Sequence, residues 1–504
     1  MKGLTCFFFI IALTMQVYGQ DTIRCSQKIK PLSEEDLKNN EAFEELVNNF
    51  RSNNKRVEAT DYIIPVVVHV VYNKQLHNIS DAQIFSQIDV LNKDYNRKNA
   101  DTSITPAYFK SIAGSSGIKF KLALKDPSGS PTTGITRTNT QTLAFSDNDD
   151  VKFDSKGGKN AWDPTNYLNI WVCNMQGSTL GYYPADYVST AGKSSDGVVI
   201  TYRAFGTMGP LSATYNLGRT ATHEIGHWFG LYHPWGPPSN SSCGSDLVND
   251  TPVQPADSKG CPKFPFIDSG VNCNNAPNGR NFSNFMDYTN DACMNMFTQG
   301  QVNRMTSVLG TNRTQIVNSP ALKSSFNKDL AIALSFDTTN ICSVAGNVKV
   351  RIFNKGKDTV NAYSFSVSAN GVTNRYSWSG KFPPLADTLW NLENLKINTD
   401  GNGMTAELSI LPEIDNFAEN NTYFMPFNCR NLLSIYPNPV TEVLYISGNS
   451  PEITSCVFYN LAGAEIFRTG KLAEIDVSSL KPGFYLVVLE TREKAVRQQL
   501  IVIR

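Results

Sequence analysis

The sequence predicts a multidomain chain. Residues 57–322 read as a mixed α/β (α+β) unit, residues 323–430 as an all-β sandwich and residues 431–504 as a smaller all-β unit. Three observations carry this expectation. At 504 residues the chain is too long for one hydrophobic core. Between 57 and 322, β-branched runs alternate with segments of helical period. From about residue 325 the texture changes to short alternating strands such as "LAIALSF", "GNVKVRIFN" and "TAELSIL".

The first element, "MKGLTCFFFIIALTMQVYGQD", places a lysine before an apolar run of roughly ten residues and small residues near Gly19. Residues 1–19 therefore read as a secretory signal peptide, too short to persist as a membrane span. No later segment approaches the apolar length of a span, so the mature protein is expected to lack a transmembrane segment. Lys+Arg and Asp+Glu both number 45, and nothing points to nucleic acid as a partner. Export permits disulfides, and of ten cysteines only Cys6 leaves with the signal.

Residues 20–56 are polar, with a short helical pattern in which Leu37, Phe43, Leu46 and Phe50 are expected to line one face. Arg51 and Lys55-Arg56 offer exposed basic sites for cleavage. "YIIPVVVHVVY" (62–72) is a buried strand. "SDAQIFSQIDVLNKDYN" follows as a helix, with Ser80 and Gln83 as an expected capping box and Ile84, Ile88, Leu91 and Tyr95 on its apolar face. "IKFKLAL", "YLNIWVCNM" and "DGVVITYRAF" read as further strands. Residues 234–292 are rich in Gly, Pro, Asn, Asp and Cys, and such a segment needs staples. In the sandwich, Cys342 and Cys429 fall near the two ends as a candidate pair.

The chemistry lies in "HEIGHWFGLYH". Three of the five histidines fall within these eleven residues. His223 and His227 are four apart, so on a helix both imidazoles leave the same face at a spacing one zinc ion can bridge. Glu224 stands beside them as a base toward the water that zinc activates. Gly230 can take the left-handed conformation, end the helix and return the chain with His233 as third ligand. Three neutral ligands leave a fourth position open, the arrangement of a catalytic zinc.

With this motif the chain resembles the metzincin zinc peptidases, whose second signature is a methionine-containing turn beneath the metal. "NFMDYTNDACMNMFTQGQ" supplies it, with Met286 as the turn methionine. By resemblance, Tyr288 assists the oxyanion formed at the peptide carbonyl. Within the metzincins, "HEIGHWFGLYHPW", "CGSDLVNDTPVQ" and the methionine segment are similar to the pappalysin family, and to its compact ulilysin-like members. The resemblance spans about residues 57–320 and implies a two-lobed catalytic domain cleaving protein or peptide substrates. Four cysteines of the loop-rich part allow three pairings; the resemblance favours Cys243–Cys273 and Cys261–Cys293. It also implies calcium, for which Asp246, Asp250 and Thr251 are the candidate ligands. Some members favour a basic residue just after the scissile bond; Asp287 and Asp291 lie near that pocket, and the sequence does not choose between them.

"SIYPNPVTEVLYI" and "LKPGFYLVVLE" resemble the C-terminal sorting domain of type IX secretion, which implies that machinery as a partner and a secreted or cell-surface destination. Cys25, preceded by Arg24, lies upstream of the expected cuts. A thiolate is a good zinc ligand, so Cys25 is expected to occupy the fourth position in a latent form, as in family members with an arginine before the cysteine. Cys173 and Cys456 sit in apolar strands and read as buried free thiols. The competing class is an inactive metzincin scaffold serving as a surface adhesin. That would be expected had Glu224 or a ligand been lost, and all are present.

Overall fold

Branched aliphatic side chains favour extended backbone, and the sheet of the first unit is built around the strand richest in them. The computed structural model describes residues 23–26, 34–53, 62–184, 187–236, 243–269, 271–336, 348–369, 371–392, 403–426, 434–436, 440, 442–447, 453–470, 474–490 and 495–503. The signal peptide, Lys55-Arg56, Cys342, Cys429 and Pro437-Asn438-Pro439 lie outside the described residues. The chain divides into two units, residues 1–322 and 323–504.

In chain order the first unit contains β1 (Ile23–Cys25), α1 (Glu34–Asn53), β2 (Ile63–Tyr72), α2 (Asp81–Asp94), α3 (Ala107–Lys110), β3 (Lys119–Leu122), β4 (Ile135–Asn139), β5 (Leu168–Cys173), β6 (Thr179–Tyr182), α4 (Tyr187–Thr190), β7 (Val198–Thr201), α5 (Arg219–Trp228) and α6 (Gln299–Thr311). The sheet order is β1-β6-β7-β5-β2-β3, with β4 also on β2. β2 runs parallel to β3, β4 and β5, and β5 parallel to β7. Sheets of this kind are covered on both faces, which explains why every residue of β5 and β7 is buried. β6 is the exception, antiparallel to β7, and β1 adds beyond it in parallel with Cys25 opposite Gly181.

Ser80 caps α2 by accepting from Gln83 N–H, but the expected capping box is only half formed. The Gln83 side chain instead donates to the carbonyls of Tyr202 and Phe205, pinning the loop after β7. A complete box forms at α6, between Thr298 and Gln301. Among the described residues no helix or strand lies between α5 and α6. Bonds Cys243–Cys273 and Cys261–Cys293 staple that stretch.

The apolar face of α1 also differs from expectation. Phe43 and Val47 are buried, Phe50 is half-buried, and Leu46 is 46% exposed. At 100° per residue, Glu44 and Val47 lie to one side of Phe43 and Leu46 to the other. Docking Glu44 onto Arg304 rolls the helix toward Val47 and turns Leu46 outward.

The second unit holds two groups of antiparallel sheets. Strands Val360–Ala369, Val372–Phe382, Gly403–Ile410 and Thr422–Pro426 form one sheet; Leu330–Phe336, Val348–Asn354 and Asp387–Leu392 form another, with a shared core of alternating side chains. A separate small core around Leu444, Phe458 and Val487 belongs to the strands from Ser434 onward. Cys173 and Cys456 are buried free thiols.

Candidate active site

All ten residues of α5 are buried, unusual for a helix with this many polar side chains, and most of its polar side chains are tied to neighbours, Thr220 Oγ1 being left without a hydrogen-bond partner. Thr222 Oγ1 donates to Asp94, and Arg219 pairs with Asp94 and Asp101. At the other end, carbonyls that the helix leaves unpaired accept from two buried arginines: Trp228 O from Arg313 Nε at 3.0 Å and Gly230 O from Arg304 Nε at 2.7 Å. Gly230, at φ +75°, reverses the chain so that His233 comes back beneath the helix.

The three histidines converge. Their Nε2 atoms lie 3.1–3.2 Å from one another. His223 Nδ1 is 2.8 Å from the carbonyl oxygen of Phe285, and His227 Nδ1 is 2.8 Å from that of Leu231. A carbonyl only accepts, so each Nδ1 carries the proton and each Nε2 presents its lone pair. Burial holds His227 near 4 and His223 and His233 well below the ordinary imidazole value, so all three are neutral. Facing lone pairs at this distance repel unless a cation lies among them, and the donor set fits one. Cys25 completes it: its Sγ and the three imidazole nitrogens all lie within 4.8 Å of one another, and all four residues are buried.

Met286 forms the floor. A Cβ at position 226 would clash with its sulfur, so Gly226 is what lets the methionine turn approach α5. Glu224 Oε2 accepts from the Cys25 thiol at 3.4 Å, and burial pushes its carboxyl up to about 8. Burial and the nearby Glu224 raise the Cys25 thiol well above its usual value. Tyr288 donates its hydroxyl to the Cys25 carbonyl at 3.2 Å, and its ring stands edge-on to His233 at 4.9 Å.

The structure separates the two aspartates that the sequence left equivalent. Asp287 is taken up by the N–H groups of Ser258 and Tyr288 and by the side chain of Gln254. Asp291 meets a basic side chain: Arg24 donates to it at 2.6 Å and to Thr289 O at 2.8 Å, beneath the ring of Tyr215. Of the calcium candidates, Asp246 accepts from Thr251, Val248 N–H and Gln301, whereas Asp250 caps α6 through Gly300 N–H and leaves its Oδ1 buried without a hydrogen-bond partner.

Three participants were missed in the sequence. Trp235 stacks on His233 at 4.5 Å, and its place two residues after the third histidine was the available signal. Tyr215 and strand β6 carried no sequence signal, since only the fold brings them to Arg24 and Cys25.

Comparison with known proteins agrees with this geometry. Residues 152–310 match the family described as pregnancy-associated plasma protein-A, and residues 434–503 match a secretion system C-terminal sorting domain. An extracellular metalloprotease of Arthroderma otae is 33% identical over 250 residues, covering 48% of this chain and 76% of that protein. One from Pyricularia oryzae is 33% identical over 256 residues, covering 50% and 76%. The solved structure of a glutamate-to-alanine mutant of Tannerella forsythia promirolysin is 45% identical, covers 59% of this chain and 99% of that chain, and superposes with a TM-score of 0.51. The sorting domain and the extracellular relatives place the protein outside the cell, secreted or on the surface. A metalloprotease of this kind implies zinc, and the buried histidine cluster fits that ion. The chain therefore belongs to the pappalysin family of metalloendopeptidases and carries a type IX secretion sorting tail.

Proposed function

We propose that the chain is a secreted zinc endopeptidase made as a latent precursor. The observation that carries this reading is the convergence of Cys25 with His223, His227 and His233 in one buried cluster. The three histidines hold the zinc, which supplies Lewis acidity toward water and the scissile carbonyl. Glu224 takes a proton from the attacking water and passes it to the leaving amine nitrogen. Tyr288 donates its hydroxyl to the oxygen that gains charge as the carbonyl is attacked.

In the precursor, the Cys25 sulfur would hold the zinc together with the three imidazoles, and it lies against Glu224, where it would keep the attacking water out. Residues 20–56 are the pro-segment, 57–322 the protease domain, 323–430 an accessory sandwich and 431–504 the sorting domain. Asp291 selects a basic side chain beyond the scissile bond, a reading supported by its pairing with Arg24. Calcium at Asp246, Asp250 and Thr251 is a subordinate part of the proposal, supported by the unpartnered buried Asp250 Oδ1.

The test is casein digestion by processed protein, with and without a chelator, beside Glu224→Ala. Digestion is expected to vanish in both cases and to return when zinc is restored to the chelated wild type. Equal digestion by the mutant would overturn the assignment of the base.

A further inference from the structure

α1 is held by contacts separate from those of Cys25. Phe43 is 3% exposed and Val47 fully buried, and both join the core that contains Ile225, Trp228 and Phe229 of α5. The Phe43 ring lies 4.9 Å from that of Tyr187 on α4. It also lies over Gly230, while Phe50 covers Gly310 so closely that neither glycine has free room for a Cβ. Between these apolar contacts sits a charge. Arg304 of α6 is fully buried, and its two terminal nitrogens donate to the two oxygens of Glu44 at 2.7 and 2.5 Å. The same guanidinium lies over the rings of Phe43 and Tyr232. A buried guanidinium needs such a carboxylate, because burial without one is costly.

We infer that the face of α4 and α6 that holds α1 is a binding site in its own right. Its ligand is an acidic amphipathic helix with the pattern Phe43-Glu44, Val47, Phe50, and residues 34–53 bind there in trans once the chain is cut. The site lies behind the Gly230 turn, and its contacts to α1 include neither Tyr288 nor the histidine nitrogens. Occupancy by the helix alone therefore leaves catalysis intact. In the uncut chain the helix keeps the Cys25 arm at high effective concentration beside the metal cluster. Joining two weak binders through a short linker strengthens the pair by about 10²–10⁴-fold without new contacts. This inference rests on the reading of residues 20–56 as a pro-segment.

The experiment uses processed enzyme, three fluorescein-labelled peptides (34–53, the same peptide with Glu44→Arg, and 21–53) and an unlabelled peptide 21–30. Binding is read by anisotropy, and activity by hydrolysis of a short fluorogenic peptide. Peptide 34–53 is expected to bind saturably without inhibiting. Glu44→Arg, which sets a like charge against Arg304, should weaken binding at least about tenfold. Peptide 21–53 should inhibit about 10²–10⁴-fold more tightly than peptide 21–30. No saturable binding of 34–53, or equal binding of the Glu44→Arg peptide, would overturn the inference. The anisotropy measurement with 34–53 contains no cysteine, so it reads the helix site whether or not the Cys25 arm proves inhibitory.

Discussion

Arg24→Ala should loosen latency without touching a candidate metal ligand or the candidate base. Arg24 and Asp291 are 1% and 0% exposed, and their ion pair measures 2.6 Å. Removing one partner of a buried pair typically costs about 3–5 kcal/mol, because the other charge stays behind unpaired. Asp291 keeps the N–H groups of Leu217 at 2.9 Å and Arg219 at 3.4 Å, which places the loss at the low end, about 3 kcal/mol. That corresponds to roughly a hundredfold shift in the docking equilibrium of the Cys25 arm. The assay follows the appearance of peptidase activity and of the processed band in purified full-length protein over time. The variant should activate much earlier than wild type, and Arg24→Lys, which keeps the charge, should fall between them. Latency and processing unchanged in Arg24→Ala would refute the reasoning that this pair holds the arm down.

Three further outcomes follow from single features of the structure. Tyr288→Phe removes the hydroxyl and little else, so kcat should drop about 10²–10³-fold with KM nearly constant, as measured on a fluorogenic peptide. His69 is buried between Trp162 and Trp171 and stays neutral down to about pH 4 when folded, while the unfolded ring takes a proton near 6.5. Stability should therefore rise with pH between 4 and 6.5, with His69 contributing up to about 1.4 kcal/mol per pH unit, and that contribution should vanish in His69→Gln denaturation curves. Cys261→Ser with Cys293→Ser opens a loop spanning 32 residues, and should cost roughly 3–4 kcal/mol in the thermal or denaturant unfolding of the catalytic unit.

The histidine cluster was legible because its parts lie within eleven residues and one helical turn fixes two of them. The same holds for the buried strands β2, β5 and β7, whose apolar runs state their environment. Long-range partners were not legible. β1 is three residues long and gains its identity only from β6, over 150 residues later. Asp287 and Asp291 are chemically equivalent in the sequence; only the fold sends Asp287 to backbone N–H groups and Asp291 to Arg24. Gln83 carries the signature of a capping box, yet two loop carbonyls compete successfully for its amide. The roll of α1 toward Val47 depends on Arg304, a residue 260 positions away from Glu44.

The most direct test is zinc X-ray absorption on the full-length chain and on processed enzyme. The account predicts one sulfur at about 2.3 Å with three nitrogens at about 2.0–2.1 Å in the full-length chain, and loss of the sulfur after processing. A full-length protein whose zinc shows no sulfur neighbour, or a processed enzyme that retains one, would contradict it.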